Sequence, residues 1–482
     1  MKTILNYIDG RFVHSKSKIE LDNINPSDGS IYSTLPSSAN SDVELAVTAA
    51  EKAFFKWSDT ELNKRAQIML RIADLIEEDL ESLARAESID NGKPLHLAKT
   101  VDIPRAASNF RFFAHALTQF HSESHENQGL KNINFTLRKA LGVVGCISPW
   151  NLPLYLLTWK IAPAIAAGNC VVAKPSEVTP MTAYLLCKIC EKAGLPPGVL
   201  NMVHGLGPEA GQAIIEHPKV KAISFTGGTE TGKIIATTAA PMFKKLSLEL
   251  GGKNPNLIFA DCNYEKMLKT TLRSSFANQG QICLCGSRIF VEHTIYEKFK
   301  KDFVESVKKL KVGHPIKDNK DLGAIVSRAH LNKVLSFIEK AKADNSMSIL
   351  CGGEKLNLEQ YPDGNYLEPC IVEVQDNNCE LNQQEIFGPV VSIMSFKTEE
   401  EALELANNTN YGLSATVWTQ NLNRSMRLSQ KLETGIVWVN TWLNRDLRTP
   451  FGGTKQSGVG REGGFEVLRF FTEPKNICID YS

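Results

Sequence analysis

From about residue 141, short runs of β-branched residues alternate with longer amphipathic ones, at 141–148, 154–167, 170–174, 181–193, 199–204, 208–216, 222–226 and 229–239. Taken as strand and helix in turn, such a series packs as a parallel, doubly wound sheet, because each helix returns the chain over the sheet to begin the next strand in the same direction. A second alternation begins near 288–291, passes through helical stretches at 295–310 and 329–343, and ends in strands at 390–396, 415–419 and 435–439. Two α/β units therefore fit a chain of 482 residues, whose length alone allows about three domains.

The remainder of the chain reads differently. Residues 6–13 and 31–35 are strand-like, and 42–57 and 62–91 read as helices. Residues 121–130 are hydrophilic and 132–139 alternate as a strand does, which predicts a hairpin arm; the tail, 467–480, also ends in a strand-like run. Two exposed strands with no local partner predict a second copy of the chain as the partner, and so a homo-oligomer, dimer or tetramer.

Charge narrows the class of ligand. Lys and Arg number 54 against 53 Asp and Glu, a net charge of +1. That balance argues against gripping nucleic acid or a membrane surface and favours a small molecule. The eleven cysteines are scattered, Asp9 interrupts the amino terminus before a signal-length apolar run builds, and the most apolar stretch, 161–173, is broken by Gly168 and Asn169. The expectation is a reduced, cytoplasmic protein without a membrane span.

Several segments could carry chemistry. Cys187 and Cys190 have the spacing of a metal or redox pair, but they lie in a helix-like run with no second ligand pair, and the ten histidines form no ligand pattern, so no metal site is expected. The turn from Gly205 through Gly207 to Gly211 follows a strand and opens a helix, yet it has one residue too many for a dinucleotide fingerprint. A better phosphate cradle is Phe225-Thr-Gly227-Gly228-Thr, where a strand ends in two glycines at a helix start. Cys283 sits in a polar connector, Asn278-Gln-Gly-Gln-Ile-Cys283, a setting for a reactive thiol. Glu249 lies in an apolar strand-like run ending in Gly-Gly-Lys253; there it is either a desolvated general base or the partner of Lys253.

Taken together, Pro149-Trp150-Asn151-Leu-Pro, Lys174-Pro-Ser-Glu177, Phe225-Thr-Gly-Gly-Thr, Glu249-Leu250-Gly-Gly-Lys, Asn278-Gln-Gly-Gln-Ile-Cys283, Glu385-Ile-Phe387-Gly-Pro and Pro450-Phe-Gly-Gly resemble the NAD(P)-dependent aldehyde dehydrogenases, in that family's order and from end to end. The resemblance implies two doubly wound parallel-sheet domains, one binding NAD (1–120 and 141–251) and one catalytic (252–462), with a small β oligomerisation arm (121–140 and 463–482). It implies Cys283 as nucleophile, the Asn151 amide and the Cys283 N–H as oxyanion donors, and Glu249 as the base that activates water. Cys285 is implied to have at most a supporting role.

For the cofactor, the resemblance implies Lys174 and Glu177 at the adenosine ribose and Glu385 at the nicotinamide ribose, with Ile147, Trp150, Gly207, Gly211, Phe225, Gly227, Gly228, Leu250 and Phe387 around it. NAD is preferred, because a carboxylate facing the 2′-hydroxyl repels a 2′-phosphate. Gly228 stands where many relatives have Ser, which leaves backbone donors alone at the pyrophosphate. Asp102-Ile-Pro-Arg105 and Asn444-Arg445-Asp-Leu-Arg448 resemble the branch that oxidises muconic semialdehydes, and so imply a small aldehyde bearing a carboxylate held by Arg105 and Arg445. 2-Aminomuconate 6-semialdehyde, from tryptophan (kynurenine) catabolism, is the expected substrate. Its hydroxy analogue, a broad or betaine-like range, or a non-catalytic oligomer are the alternatives. For each arginine the competing expectation is a plain ion pair, with Asp102 or Asp446, and Arg448 is expected to be structural.

Overall fold

The computed structural model describes residues 2–318 and 320–482. The first alternation forms the centre of an eight-stranded sheet, in the order Gly458–Val459, Lys245–Glu249, Val220–Thr226, Val143–Ile147, Cys170–Lys174, Leu200–Met202, Asn6–Ile8 and Arg11–Val13. The five inner strands, from Lys245–Glu249 to Leu200–Met202, are parallel, and the additions at both edges are antiparallel. Val143–Ile147 and Cys170–Lys174 are buried along their whole length, as parallel strands covered on both faces must be. The chain leaves Val143–Ile147 in one direction to build two strands and later returns to its other side to build two more. Open α/β sheets bind ligands at such a reversal, beyond the carboxyl ends of the strands.

The second alternation gives a seven-stranded sheet, Met347–Cys351, Cys370–Val374, Val390–Phe396, Arg288–Glu292, Pro255–Ile258, Ser414–Trp418 and Ile436–Val439. Only Met347–Cys351 runs antiparallel. Both predicted α/β units are therefore present as sheets.

Two expectations need correction. The segment expected as one helix over 62–91 is two, Leu62–Glu78 and Leu80–Asn91, with Asp79 between them at φ −100°, ψ 21°. Asp competes for backbone groups and suits helix ends better than helix interiors. The exposed strands also do have a partner in their own chain. Asn132–Ala140 pairs antiparallel with the tail strand Thr472–Asp480, from Ala140 opposite Thr472 to Asn132 opposite Asp480, while Ser124–Asn127 covers its other side. The sequence separation between arm and tail hid this pairing, and only Thr472–Asp480 and Ser124–Asn127 remain as edges.

A further helix, Ile103–Gln119, has no counterpart in the sequence reading; it follows a π-turn at Ala98–Asp102. Cys187 and Cys190 are buried within the helix Met181–Lys192 among apolar side chains. Among the described residues no helix is long and apolar enough to cross a membrane.

The tail is tied to the first sheet by Asn169. Its side-chain oxygen accepts from the N–H groups of Leu141 (2.7 Å) and Gly142 (3.1 Å), and its amide donates to the carbonyls of Ala164 (3.2 Å) and Phe471 (2.9 Å). Asn169 is fully buried, so Asn169→Ala leaves these groups unpaired away from water, at a cost of about 1–3 kcal/mol for each group left unsatisfied. The variant is expected to unfold at a lower temperature than the parent in calorimetry; an unchanged transition would show that the tie is not structural.

Candidate active site

Two loops from separate sheets meet here. One leaves the carboxyl end of Val143–Ile147 and carries Trp150 and Asn151; the other, 277–287, enters the amino end of Arg288–Glu292 and carries Cys283. The second loop opens with Asn278 and Gln279, both left-handed at φ 52° and 55°. That conformation costs about 1–3 kcal/mol per non-glycine residue and persists only where the surroundings enforce it. The Gln279 amide donates to the Ala324 carbonyl (3.0 Å) and its oxygen accepts from Gly323 N–H (3.1 Å). The Gln281 side chain accepts from Val326 N–H at 3.1 Å. A Cβ at Gly280 would lie 2.1 Å from the Gly388 carbonyl oxygen, so the turn admits only glycine there. Asn254 completes the frame, its amide donating to the carbonyls of Cys283 (2.7 Å) and Cys285 (2.8 Å).

Cys283 is half-buried and lines a cavity of about 730 Å³. Among the described residues its backbone N–H meets no protein acceptor. The Asn151 amide donates to the Gln281 carbonyl at 3.0 Å, which brings it against the same loop with a second N–H to offer. Burial first, then the Glu385 and Glu249 carboxylates, push the Cys283 thiol up, against a smaller pull from Arg445.

Glu249 ends the strand Lys245–Glu249, is 3 % exposed and lines the same cavity. Neither of its oxygens has a hydrogen-bond partner among the described residues, and Lys253 does not pair with it, so the ion-pair alternative falls. Burial and then the neighbouring Glu462 push its carboxyl well above the usual range, with Lys160, Arg461 and Arg445 pulling the other way. Glu462 is itself held by the buried Lys160 ammonium at 2.7 Å and by the Ser224 hydroxyl at 3.2 Å. Gly452 allows the close approach: a Cβ there would sit 2.7 Å from a Glu249 oxygen.

Arg105 and Arg445 line the cavity too. The expected ion-pair partners are engaged elsewhere. Asp102 is buried against Lys93, and Asp446 is gripped on the surface by Arg448. Arg105 and Arg445 lie 5.6 and 5.8 Å from the ring centre of Tyr155, Arg445 also donates to the Tyr155 hydroxyl, and Arg445 stacks on Phe451 at 3.9 Å. Sequence reasoning missed Tyr155, Lys160, Phe451 and Glu462. A signal existed for the first two, since Tyr155, Thr158 and Lys160 are polar interruptions in a helix, Pro153–Ala166, that is buried throughout.

The expected cofactor residues gather beside the first sheet's point of reversal. Ile147 and Phe225 are the partly or fully buried ends of adjacent strands. Lys174 ends the next strand and donates to Glu177 at 3.1 Å and to the Pro175 carbonyl at 2.8 Å. Gly211 packs toward the Lys174 side chain, and Gly207 begins the π-turn Gly207–Gly211 facing open space. Gly227 receives the Phe225 ring, Gly228 caps the helix Thr229–Ala239 with open space where a Cβ would stand, and Leu250 fills the space over Gly232. Glu385 accepts from Gly252 N–H at 2.9 Å, and the Trp150 ring meets Phe387 edge-on at 5.2 Å.

The sequence matches the aldehyde dehydrogenase family over residues 12–477. The chain belongs to that family. A 2-aminomuconic semialdehyde dehydrogenase from Bos taurus is 51% identical over 99% of this chain and 98% of its own length. A 2-hydroxymuconic semialdehyde dehydrogenase from Pseudomonas sp. (strain CF600) is 44% identical over 99% of this chain and 100% of its own. A betaine aldehyde dehydrogenase from Staphylococcus aureus, solved in complex with NAD+, superposes with a TM-score of 0.96 at 37% identity, over 99% of this chain and 95% of that one. The aldehyde dehydrogenase fold expected from the motifs is thus borne out.

In this aldehyde dehydrogenase the state of Glu249 has a kinetic signature. A carboxyl raised by burial is protonated at pH values where an ordinary one, near 4.3, is not, so its capacity as a base disappears as pH falls through a higher value. Turnover is expected to show an acid limb with a midpoint above the ordinary carboxylate range, and Glu249→Gln to remove both the limb and most of the turnover. A midpoint near 4.3 in the pH–rate profile would contradict the burial argument.

Proposed function

We propose that the protein oxidises a carboxylate-bearing, unsaturated semialdehyde to the acid with NAD, 2-aminomuconate 6-semialdehyde foremost. The observation that carries this reading is the pair of guanidiniums, Arg105 and Arg445, that line the Cys283 cavity without carboxylate partners among the described residues. A guanidinium grips a carboxylate with parallel hydrogen bonds. Relatives named for aminomuconic and hydroxymuconic semialdehydes, at 51% and 44% identity, support it. A betaine-like aldehyde is disfavoured, because its permanent cation would meet Arg105 and Arg445 in the cavity.

The residues fit NAD. Gly228 and the first turn of the helix Thr229–Ala239 offer backbone N–H groups and open space to a pyrophosphate. The Lys174 ammonium and half-exposed Glu177 suit ribose hydroxyls, and the Glu177 carboxylate repels a 2′-phosphate; Glu385 suits the second ribose. When bound, NAD supplies the hydride acceptor.

The protein's own residues do the rest. The Cys283 thiol gives its proton up to solvent as its sulfur attacks the aldehyde carbon, and the oxygen that becomes negative is met by the free Cys283 N–H and the Asn151 amide. Donors of that kind are each worth about 3–4 kcal/mol. After oxidation the acyl group remains on Cys283 as a thioester. Glu249 then takes a proton from water as the water attacks, which releases the acid and restores the thiol. Residues 1–120 and 141–251 serve as the cofactor domain, 252–462 as the catalytic domain, and 121–140 with 463–482 as the arm of a cytoplasmic homo-oligomer, a homotetramer by preference. The exposed edge of Thr472–Asp480 supports that assembly.

The test is a substrate panel read by reduced-cofactor absorbance. Cys283→Ala is expected to abolish turnover of every aldehyde. Arg105→Ala and Arg445→Ala are each expected to raise KM for the muconic semialdehydes roughly 10–100-fold, the worth of a charged hydrogen bond of about 1.5–3 kcal/mol, while sparing neutral aldehydes. Equal losses on acidic and neutral substrates would refute a carboxylate site.

A further inference from the structure

Tyr155 belongs to neither the nucleophile loop nor the cofactor groove, yet two of the three cavity arginines, Arg105 and Arg445, converge on it. Their guanidiniums lie 5.6 and 5.8 Å from its ring centre, within the range where a cation is attracted to an aromatic face. Arg445 also donates to the Tyr155 hydroxyl oxygen. That bond uses a lone pair and leaves the hydroxyl's own proton, for which no acceptor exists among the described residues. Tyr155 is 6 % exposed and lines the Cys283 cavity. A phenol that accepts from a cation becomes a stronger donor.

Its placement is also fixed with unusual redundancy. Asn109, fully buried on the helix Ile103–Gln119 that carries Arg105, donates to the Tyr155 carbonyl (3.1 Å) and the Thr158 hydroxyl (3.0 Å). The Glu87 carboxylate accepts from Leu154 N–H at 3.3 Å and meets the Lys93 ammonium, which pairs with Asp102 at the foot of the same helix. Buried polar groups thus bind the helix of Arg105 to the helix of Tyr155 at two levels. Separating Arg105 from the ring would require breaking both.

We infer that Tyr155 is the third point of the carboxylate site, its ring spacing the two guanidiniums and its hydroxyl donating to the substrate carboxylate. The inference rests on the acidic-semialdehyde reading and adds to it a specificity-determining residue. Three donors around one carboxylate would select for the planar acid end of a muconic semialdehyde over a chain that merely carries polar groups. A site built to hydrogen-bond a substrate discriminates strongly against analogues lacking the matching group, because its own buried donors are then left unpaired.

The experiment uses the full-length oligomeric enzyme with NAD, taking 2-hydroxymuconate semialdehyde as the acidic probe and hexanal as the neutral one. Tyr155→Phe keeps the ring and removes the hydroxyl. It is expected to raise KM for the acidic probe about tenfold, the worth of one charge-assisted hydrogen bond, with kcat and the hexanal constants unchanged. Tyr155→Leu, which removes ring and hydroxyl, is expected to raise it further, and Arg445→Ala combined with Tyr155→Phe to cost less than the product of the single effects. Equal changes for both probes in Tyr155→Phe, or none for either, would overturn the role of Tyr155. If Arg105→Ala and Arg445→Ala impair the acidic probe alone while Tyr155→Phe does not, only the present inference falls. If the arginine variants fail to distinguish the probes, the acidic-substrate reading falls with it.

Discussion

The hydrogen bond from the Asn151 amide to the Gln281 carbonyl, 3.0 Å long, joins two sheets that share no strand. The Asn278 amide returns a bond to the Asn151 carbonyl at 3.0 Å, and Asn91 adds a third contact to the same loop by donating to the carbonyls of Trp150 and Asn151. Every chemical feature of the site presupposes this seam. The proposed oxyanion donors come one from each loop, the proposed base ends a strand of the first sheet, and the thiol lies in the loop that enters a strand of the second. A shift of an ångström between the sheets would separate donor from nucleophile, and effects of that kind cost orders of magnitude in rate. This explains why the nucleophile loop tolerates two left-handed residues: Gln279 and Gln281 bond across to 323–326, so the strain is held by the same contacts that set the register.

Electrostatics in the seam follow from burial rather than from the count of charges. Glu249 and Glu462 are both inside and close enough to oppose each other, but only Glu462 has the Lys160 ammonium and the Ser224 hydroxyl to hold it. The unpartnered one is pushed up, which makes Glu249 the better proton acceptor once it is ionised. The same burial, with Glu249 and Glu385 as neighbours, pushes the Cys283 thiol up. Burial and mutual repulsion thus act on thiol and carboxyl in the same direction, against two buried negative charges side by side.

Much of this was legible in the sequence, for reasons that differ by element. The parallel strands announce themselves because both faces are buried, so Val143–Ile147 is an apolar run and Cys170–Lys174 is one up to its final lysine. The nucleophile loop shows itself as a polar, glycine-bearing break between a helix and a strand. The pairing of Asn132–Ala140 with Thr472–Asp480 was not legible, because alternation identifies a strand but not its partner across more than three hundred residues. The helix Ile103–Gln119 was missed, since a π-turn at Ala98–Asp102 shifts the helical period just where a proline at 104 suggests a break. Tyr155 was hidden by its neighbours: within a run of buried apolar residues, one tyrosine reads as core.

The net charge of +1 says nothing about the cavity, and the structure explains why. Each arginine of the substrate site has an aspartate near it in sequence, and either ion pair would have silenced it. Lys93 instead draws Asp102 into a buried pair, away from Arg105, and Arg448 takes Asp446 into a surface pair, away from Arg445. The aspartates are therefore neutralised by cations that do not face the cavity, and Arg105 and Arg445 form no ion pair among the described residues. Aromatic faces, from Tyr155, Trp159 and Phe451, stand in for carboxylates around Arg445. A ring attracts a cation by its quadrupole but carries no net charge, so the guanidinium is packed and positioned while its charge stays available to an incoming anion.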